Sequence, residues 1–151
     1  MAPILIGYDG SEHARAAITR AGELFHPGPA VVATVWATLE EAAPSALLAL
    51  PSGVVADAVS GIDAATREAA EAIAAEGAER AAAAGFEARP HIVRSAGAVF
   101  AALVACADEL DATAIVLGSR GRSTLAATLL GSVSTGVLHH TERPVLIARA
   151  G

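Results

Sequence analysis

A glycine-rich stretch, residues 118–132, limits the folds that this chain can adopt. It follows an apolar run at residues 114–117, which predicts a buried strand, and it ends where a helix is predicted to begin, near Val133. Glycines let the backbone approach a ligand closely. The first N–H groups of a helix have no partner within the helix and attract anions. This order of elements predicts a phosphate-binding site in an α/β fold.

Strand-like and helix-like segments alternate along the chain. Strands are predicted at residues 3–8, 30–37, 86–93, 113–117 and 144–149, and helices at residues 12–25, 62–84, 98–110 and 133–140. Such alternation implies a parallel sheet with helices on both faces. The sequence therefore predicts one α/β domain over residues 1–151, in which residues 40–61 stay unassigned apart from a short helix near residues 45–50.

Composition excludes several classes of partner. The net charge is −6 and the ten basic residues are all arginine, which argues against a nucleic-acid surface. The single cysteine, Cys106, excludes an internal disulfide and is typical of the reducing cytoplasm. No apolar run is long enough to span a membrane, and the first residues lack the pattern of a secretory signal. We therefore expect a cytoplasmic protein.

The glycines have the spacing G-x2-G-x9-G-S, formed by Gly118, Gly121, Gly131 and Ser132. This differs from the G-x4-G-K-[ST] phosphate loop, since the chain has no lysine, and from the dinucleotide fingerprint G-x-G-x-x-G. It resembles the nucleotide-binding pattern of the universal stress protein family. The segments ILIGYDGSEHARAAI and VLHHTERPVLIAR are also similar to that family, so the resemblance covers nearly the whole chain.

The resemblance implies an open five-stranded parallel sheet, Rossmann-like, with strand order 3-2-1-4-5. In this order the topological switch point lies between the first and fourth strands, and open α/β sheets bind ligands there, beyond the carboxyl ends of the strands. Asp9 follows the first predicted strand and Gly118 follows the fourth. Both residues are therefore expected at the same crevice.

The candidate nucleotide-binding residues come from three strand ends and from the glycine-rich stretch. They are Gly7, Tyr8, Asp9, Trp36, Leu117, Gly118, Arg120, Gly121, Arg122, Gly131, Ser132, Val133 and Ser134. The resemblance places Asp9 by the nucleoside, although an aspartate here can also simply start the turn. Tyr8 is expected to crowd or stack on a base. Trp36 is expected either to stack on the adenine or to pack in the core or a dimer interface.

Within the glycine-rich stretch, side chains supplement the backbone. Arg120 and Arg122 are expected to neutralise phosphate charge, or else to be solvated while backbone amides alone bind the ligand. Ser132 and Ser134 are expected to add hydroxyl donors.

The predicted function is regulatory binding of ATP or a related adenine nucleotide, with Mg²⁺ as a companion ion, in a stress response. Three alternatives remain: a slow ATPase, a cyclic AMP binder and a nucleotide-free interaction module. No catalytic set is evident in the sequence, so catalysis is not expected.

The last strand, residues 145–149, is an apolar sheet edge without an interior proline, which predicts a homodimer paired through this strand. The alternative is that Arg149 keeps this edge solvated and the protein monomeric.

Overall fold

A computed structural model describes residues 1–49, 51, 55–120 and 130–151 of the chain. The described strands are β1 (Ile4–Gly7), β2 (Pro29–Trp36), β3 (Glu87–Arg94), β4 (Ile115–Gly118) and β5 (Val145–Ala148). The described helices are α1 (Glu12–Leu24), α2 (Leu39–Ala42), α3 (Pro44–Leu48), α4 (Val55–Ala83), α5 (Val99–Glu109) and α6 (Ser132–His140).

The strands form a single sheet in the order β3-β2-β1-β4-β5, and every pair is parallel. This confirms the predicted fold class and strand order. The sheet edges are β3 and β5, so the more polar third strand is an edge, as its sequence indicates. The central position of β1 explains its uninterrupted apolar sequence, since both of its faces are covered.

Two apolar layers cover the sheet. One lies beneath α1 and α4 and includes Ile6, Ile18 and Val32. The other lies beneath α5 and α6 and includes Leu5 and Leu103, because successive strand residues point to opposite faces. Cys106 belongs to the second layer, and burial raises the pKa of its thiol, as expected of a small apolar residue rather than a reactive one.

The segment left unassigned from the sequence is largely helical. The short helix predicted near residues 45–50 is present as α3, and α2 begins with a capping box in which Thr38 and Glu41 each bond the other's backbone amide. The long helix α4 begins at Val55 rather than at Ile62. Its first described turns are mostly exposed, so they carry no apolar periodicity from which a helix could be predicted.

Glycine and alanine allow α4 to pack closely on the sheet. A Cβ placed on Gly77 would lie 2.6 Å from Cδ1 of Tyr8 and 2.7 Å from Cγ1 of Val32. For Gly61, on the same helix, no atom of the described residues outside that helix's own backbone lies within 4 Å of such a Cβ. Substituting each glycine by alanine therefore separates the effect of packing on the free energy of unfolding from the effect of helix propensity.

We predict that Gly77→Ala lowers the free energy of unfolding by about 1–3 kcal/mol, because overpacking outweighs the better helix propensity of alanine. Gly61→Ala is expected to raise the same free energy by up to about 1 kcal/mol. Urea unfolding followed by circular dichroism measures both values. If Gly77→Ala were as stable as Gly61→Ala, the close packing of α4 on Tyr8 would be contradicted.

Candidate functional site

The carboxyl ends of β1 and β4 lie side by side at the switch point, as predicted. The register pairs Leu5 with Ile115, which brings Gly7 next to Leu117. A Cβ on Gly7 would lie 2.5 Å from Cδ2 of Leu117. A side chain at position 7 would therefore occupy the space that the buried Leu117 side chain fills, in the layer beneath α5 and α6.

Gly118 ends β4 against the first turn of α1. A Cβ on this residue would lie 2.6 Å from the carbonyl carbon of His13 and 2.7 Å from the amide nitrogen of Ala14. These atoms belong to the backbone and cannot move aside without shifting the helix. The first glycine of the pattern is therefore required by the packing of α1 on β4, whether or not a ligand is bound.

The described ends of the glycine-rich stretch are tied together at Ser119. Its carbonyl oxygen accepts a hydrogen bond from the Gly131 amide at 2.7 Å, and the Ser134 hydroxyl lies 3.1 Å from the same oxygen. The Ser134 hydroxyl also donates to the Gly118 carbonyl at 2.9 Å. Ser134 is buried and its single hydroxyl hydrogen is shared between these carbonyls, so in this conformation it holds the loop rather than donating to a ligand.

The N-terminus of α6 is an open helix end at the carboxyl side of the sheet. Its N-cap, Gly131, has no side chain, and no side-chain cap is found among the described residues. Ser132 is exposed there and Val133 is half-buried, and the first turn carries no acidic residue. By contrast, the Ser11 hydroxyl caps α1 by accepting from the Ala14 amide. The amides at the start of α6, which lie beside the end of β4 at the switch point, are therefore suited to an anion.

Asp9 follows β1 and closes the turn into α1. Its Oδ1 accepts a hydrogen bond from the Ser11 amide at 2.9 Å, and Gly10 between them has a φ of 79°. The turn-forming role considered from the sequence is therefore present in the structure. The carboxylate is half-buried at the switch point between β1 and β4, as the predicted ligand role also requires.

Tyr8 corrects one prediction from the sequence. Its ring is 3% exposed and lies in the layer beneath α1 and α4, so it cannot stack on a base in this conformation. The Tyr8 hydroxyl accepts from Arg15, and Arg15 pairs with Glu76 at 3.1 Å. The pKa of Glu76 is lowered, chiefly by its hydrogen bond with Arg80 and further by the Tyr8 hydroxyl and the charge of Arg15. Tyr8 therefore joins α1 to α4.

Two other predicted residues stand near the site. Trp36 is half-buried at the carboxyl end of β2, and its carbonyl accepts from the Ser95 amide at 2.9 Å. Arg120 is half-buried directly after Ser119. Gly121 and Arg122 lie outside the described residues.

One residue of the site has no signal in the sequence. Nδ1 of His13 accepts a hydrogen bond from the Ala150 amide at 3.0 Å and lies 3.1 Å from Oγ of Ser119. A single histidine in the first turn of a helix matches no metal or catalytic pattern. It joins the site only because the fold brings α1, the end of β4 and the residues after β5 together.

Among the residues that the structure describes, no three His, Cys, Asp or Glu side chains are grouped so as to hold a metal ion. No described helix is both long and apolar enough to cross a membrane.

This combination of parallel sheet order and switch-point crevice defines an open, doubly wound α/β domain. The model of the universal stress protein family matches residues 1–149, and the chain belongs to that family. Comparison with curated proteins gives no match.

Solved structures of the same family share the fold. A universal stress protein in complex with cAMP is 30% identical, with a TM-score of 0.61, over 99% of this chain and 98% of that chain. The protein UspA from Lactobacillus plantarum is 20% identical, with a TM-score of 0.72, over 98% and 97% of the two chains. The universal stress protein from Archaeoglobus fulgidus in complex with dAMP is 21% identical, with a TM-score of 0.60, over 98% of each.

We predict that Ser134→Ala lowers the free energy of unfolding by about 1 kcal/mol, because it removes the donor shared by two loop carbonyls. Thr135→Ala, at an exposed position on the same helix, is expected to change it by less than about 0.5 kcal/mol. Urea unfolding without nucleotide measures both. Equal stability of the two variants would contradict the loop-holding role of Ser134.

Proposed function

We propose that this protein binds ATP in the crevice between β1 and β4, with the phosphates at the N-terminus of α6. The observation that carries the proposal is the uncapped start of α6, joined through Gly131 to Ser119 at the end of β4. Unpaired N–H groups and the positive end of the helix dipole both favour a phosphate at this position. Two structural relatives in complex with cAMP and dAMP support an adenine nucleotide as the ligand class.

Several of the candidate residues have distinct roles in this proposal. The amides of Ser132 and Val133 bind phosphate oxygens, and the absence of a side chain on Gly131 lets the phosphate approach. Asp9 accepts a hydrogen bond from the ribose. Trp36 lies by the adenine, where its half-buried ring offers a stacking surface.

Charge neutralisation falls to the arginines of the glycine-rich stretch. Arg120 balances phosphate charge, together with Arg122 and the backbone at Gly121 in the same stretch. Mg²⁺ accompanies ATP through the phosphates, and no protein ligand is assigned to it. The site is proposed to act by regulatory binding, in which nucleotide occupancy alters conformation or partner choice in a stress response.

Cyclic AMP is a second candidate ligand, because a relative of 30% identity is in complex with it. The two ligands place different charge at the start of α6, since ATP carries a triphosphate and cyclic AMP a single phosphodiester. Competition between them for the nucleotide-free protein ranks their affinities directly.

The first test of the proposal is a thermal shift. At 100 times its dissociation constant a ligand stabilises the folded state by about 2.7 kcal/mol. For a chain of this size, that raises the melting temperature by about 5–10 °C. We predict this rise with ATP and Mg²⁺ for the wild type and its loss in Gly131→Val, because the branched side chain occupies the phosphate's approach.

The nearest described neighbours leave room for a Cβ at position 131. A Cβ on Gly131 meets the Ser119 carbonyl oxygen and Cα of Arg120 at 3.4 Å, which is an ordinary contact. Gly28→Val is the matched control, since Gly28 lies at the amino end of β2, on the side of the sheet opposite to the crevice. The nearest described atoms to its Cβ would be in the Met1 side chain and the His26 carbonyl, at 3.4–3.9 Å. A shift retained in Gly131→Val, or an unchanged wild-type melting temperature with ATP, ADP, AMP and cyclic AMP, would contradict the proposal.

We also propose a homodimer paired through β5, because the two sheet edges differ. Ile115 donates to the Pro144 carbonyl and Ser119 to the Ala148 carbonyl, so the backbone groups of Val145 and Ile147 point away from the sheet. Along its outer side, the apolar β5 therefore presents N–H and C=O groups that have no partner among the described residues.

The opposite edge carries a proline at an equivalent position. The Glu87 amide donates to the Gly28 carbonyl and the Ser95 amide to the Trp36 carbonyl, which places Pro90 among the residues that point outward from β3. Because proline has no N–H, it interrupts the outer row of donors. The β5 edge is therefore the better template for a second copy, related by a two-fold axis.

We predict that the wild type sediments at micromolar concentration with twice the 15.0 kDa chain mass. Ile147→Pro is expected to sediment as the single chain, because it removes an outward-facing amide without removing a bond to β4. Circular dichroism checks that this variant remains folded. A wild type that sediments at the mass of one chain would contradict the β5 dimer.

A further inference from the structure

His13 occupies a junction of three elements that are distant in sequence. It lies in the first turn of α1, and its Nδ1 atom accepts from the Ala150 amide, after β5, at 3.0 Å. The same nitrogen is 3.1 Å from the hydroxyl of Ser119, after β4. The imidazole therefore bridges the sheet edge and the start of the glycine-rich stretch.

The donors around the ring define its chemical state. A backbone amide is only a donor, so Nδ1 must present its lone pair to Ala150, and the ring hydrogen must lie on Nε2. The Ser119 hydroxyl then shares the same lone pair as a second donor. Nδ1 is therefore an acceptor shared by the two donors, and a side chain without an acceptor at this position accepts from neither.

Ser119 carries the connection onward to α6. Its amide donates to the Ala148 carbonyl at 2.7 Å, and its carbonyl accepts from the Gly131 amide at 2.7 Å. Ser119 is 3% exposed, so it has little freedom to move independently of these partners. A continuous set of hydrogen bonds therefore runs from Ala150 through His13 and Ser119 to the N-cap of α6.

We propose that His13 is a positioning residue that couples the nucleotide site to the residues after β5. This inference rests on the proposed function, since it concerns the same phosphate-binding helix end. His13 acts through Ser119 and not on the nucleotide itself. By reciprocity, nucleotide binding at the start of α6 strengthens the His13–Ala150 contact, and loss of that contact weakens nucleotide binding by the same factor.

The test compares variants that remove the contact from either side. His13→Ala removes the acceptor, and Ala150→Pro removes the donor without altering His13. His13→Asn keeps an acceptor, because Oδ1 of asparagine stands where Nδ1 stands in histidine. His26→Ala removes an exposed imidazole elsewhere and serves as the control.

Isothermal titration with ATP and Mg²⁺ gives the affinities. His13→Ala and Ala150→Pro are each expected to weaken binding by at least about fivefold, the lower end of typical coupling between sites. His13→Asn and His26→Ala are expected to stay within about twofold of the wild type. The double variant is expected to bind no more weakly than either single variant, because both remove one contact.

Hydrogen exchange measured by NMR supplies a second measurement. Nucleotide is expected to slow exchange of the Ala150 amide in the wild type and in His13→Asn, and to leave it unchanged in His13→Ala. If His13→Ala does not fold, Ala150→Pro and His13→Asn decide the question alone.

The outcomes separate this inference from the proposed function. If the wild type binds no adenine nucleotide, both are overturned. If it binds while His13→Ala or Ala150→Pro keeps wild-type affinity, the coupling is overturned and the proposed function stands. If His13→Asn binds as weakly as His13→Ala, the imidazole touches the ligand directly and the positioning role is overturned.

Discussion

The close approach of the β4 end to the first turn of α1 is the constraint on which the rest of the site depends. At Gly118, a single Cβ would overlap the backbone of His13 and Ala14. This contact fixes the distance between the two central strand ends and the helix that follows β1. It also places His13 beside Ser119, so that one glycine determines both the packing of the sheet and the shape of the crevice.

Different physical constraints therefore explain why glycine stands at two positions of the sequence pattern. Gly118 is required by backbone packing, whereas the nearest described atoms would meet a Cβ on Gly131 only at 3.4 Å or more. Packing among the described residues therefore does not explain the glycine at position 131. In the account proposed here, this glycine leaves room for a phosphate group at the start of α6, beside the described ends of the glycine-rich stretch that Ser119 and Ser134 connect.

Sequence reasoning predicted the architecture because apolar strands and amphipathic helices leave local patterns, and the family resemblance supplied the strand order. It failed where tertiary packing determines the local structure or the direction of a side chain. The start of α4 was missed because an exposed helix has no apolar face to detect. The ring of Tyr8 was assigned to the crevice, although strand alternation turns it towards α4. The roles of His13 and Ser134 depend on partners more than ten residues away, which no spacing rule reveals.

The central claim is that phosphate binds at the start of α6, and amide chemical-shift mapping by NMR tests it most directly. Titration of the ¹⁵N-labelled, nucleotide-free protein with ATP and Mg²⁺ is predicted to shift the amides of Ser132 and Val133 most strongly. The amide chemical shifts of Thr113 and Val145, at the amino ends of β4 and β5, are predicted to stay unchanged. Saturable shifts centred on these amino ends, with those of Ser132 and Val133 unchanged, would contradict the account.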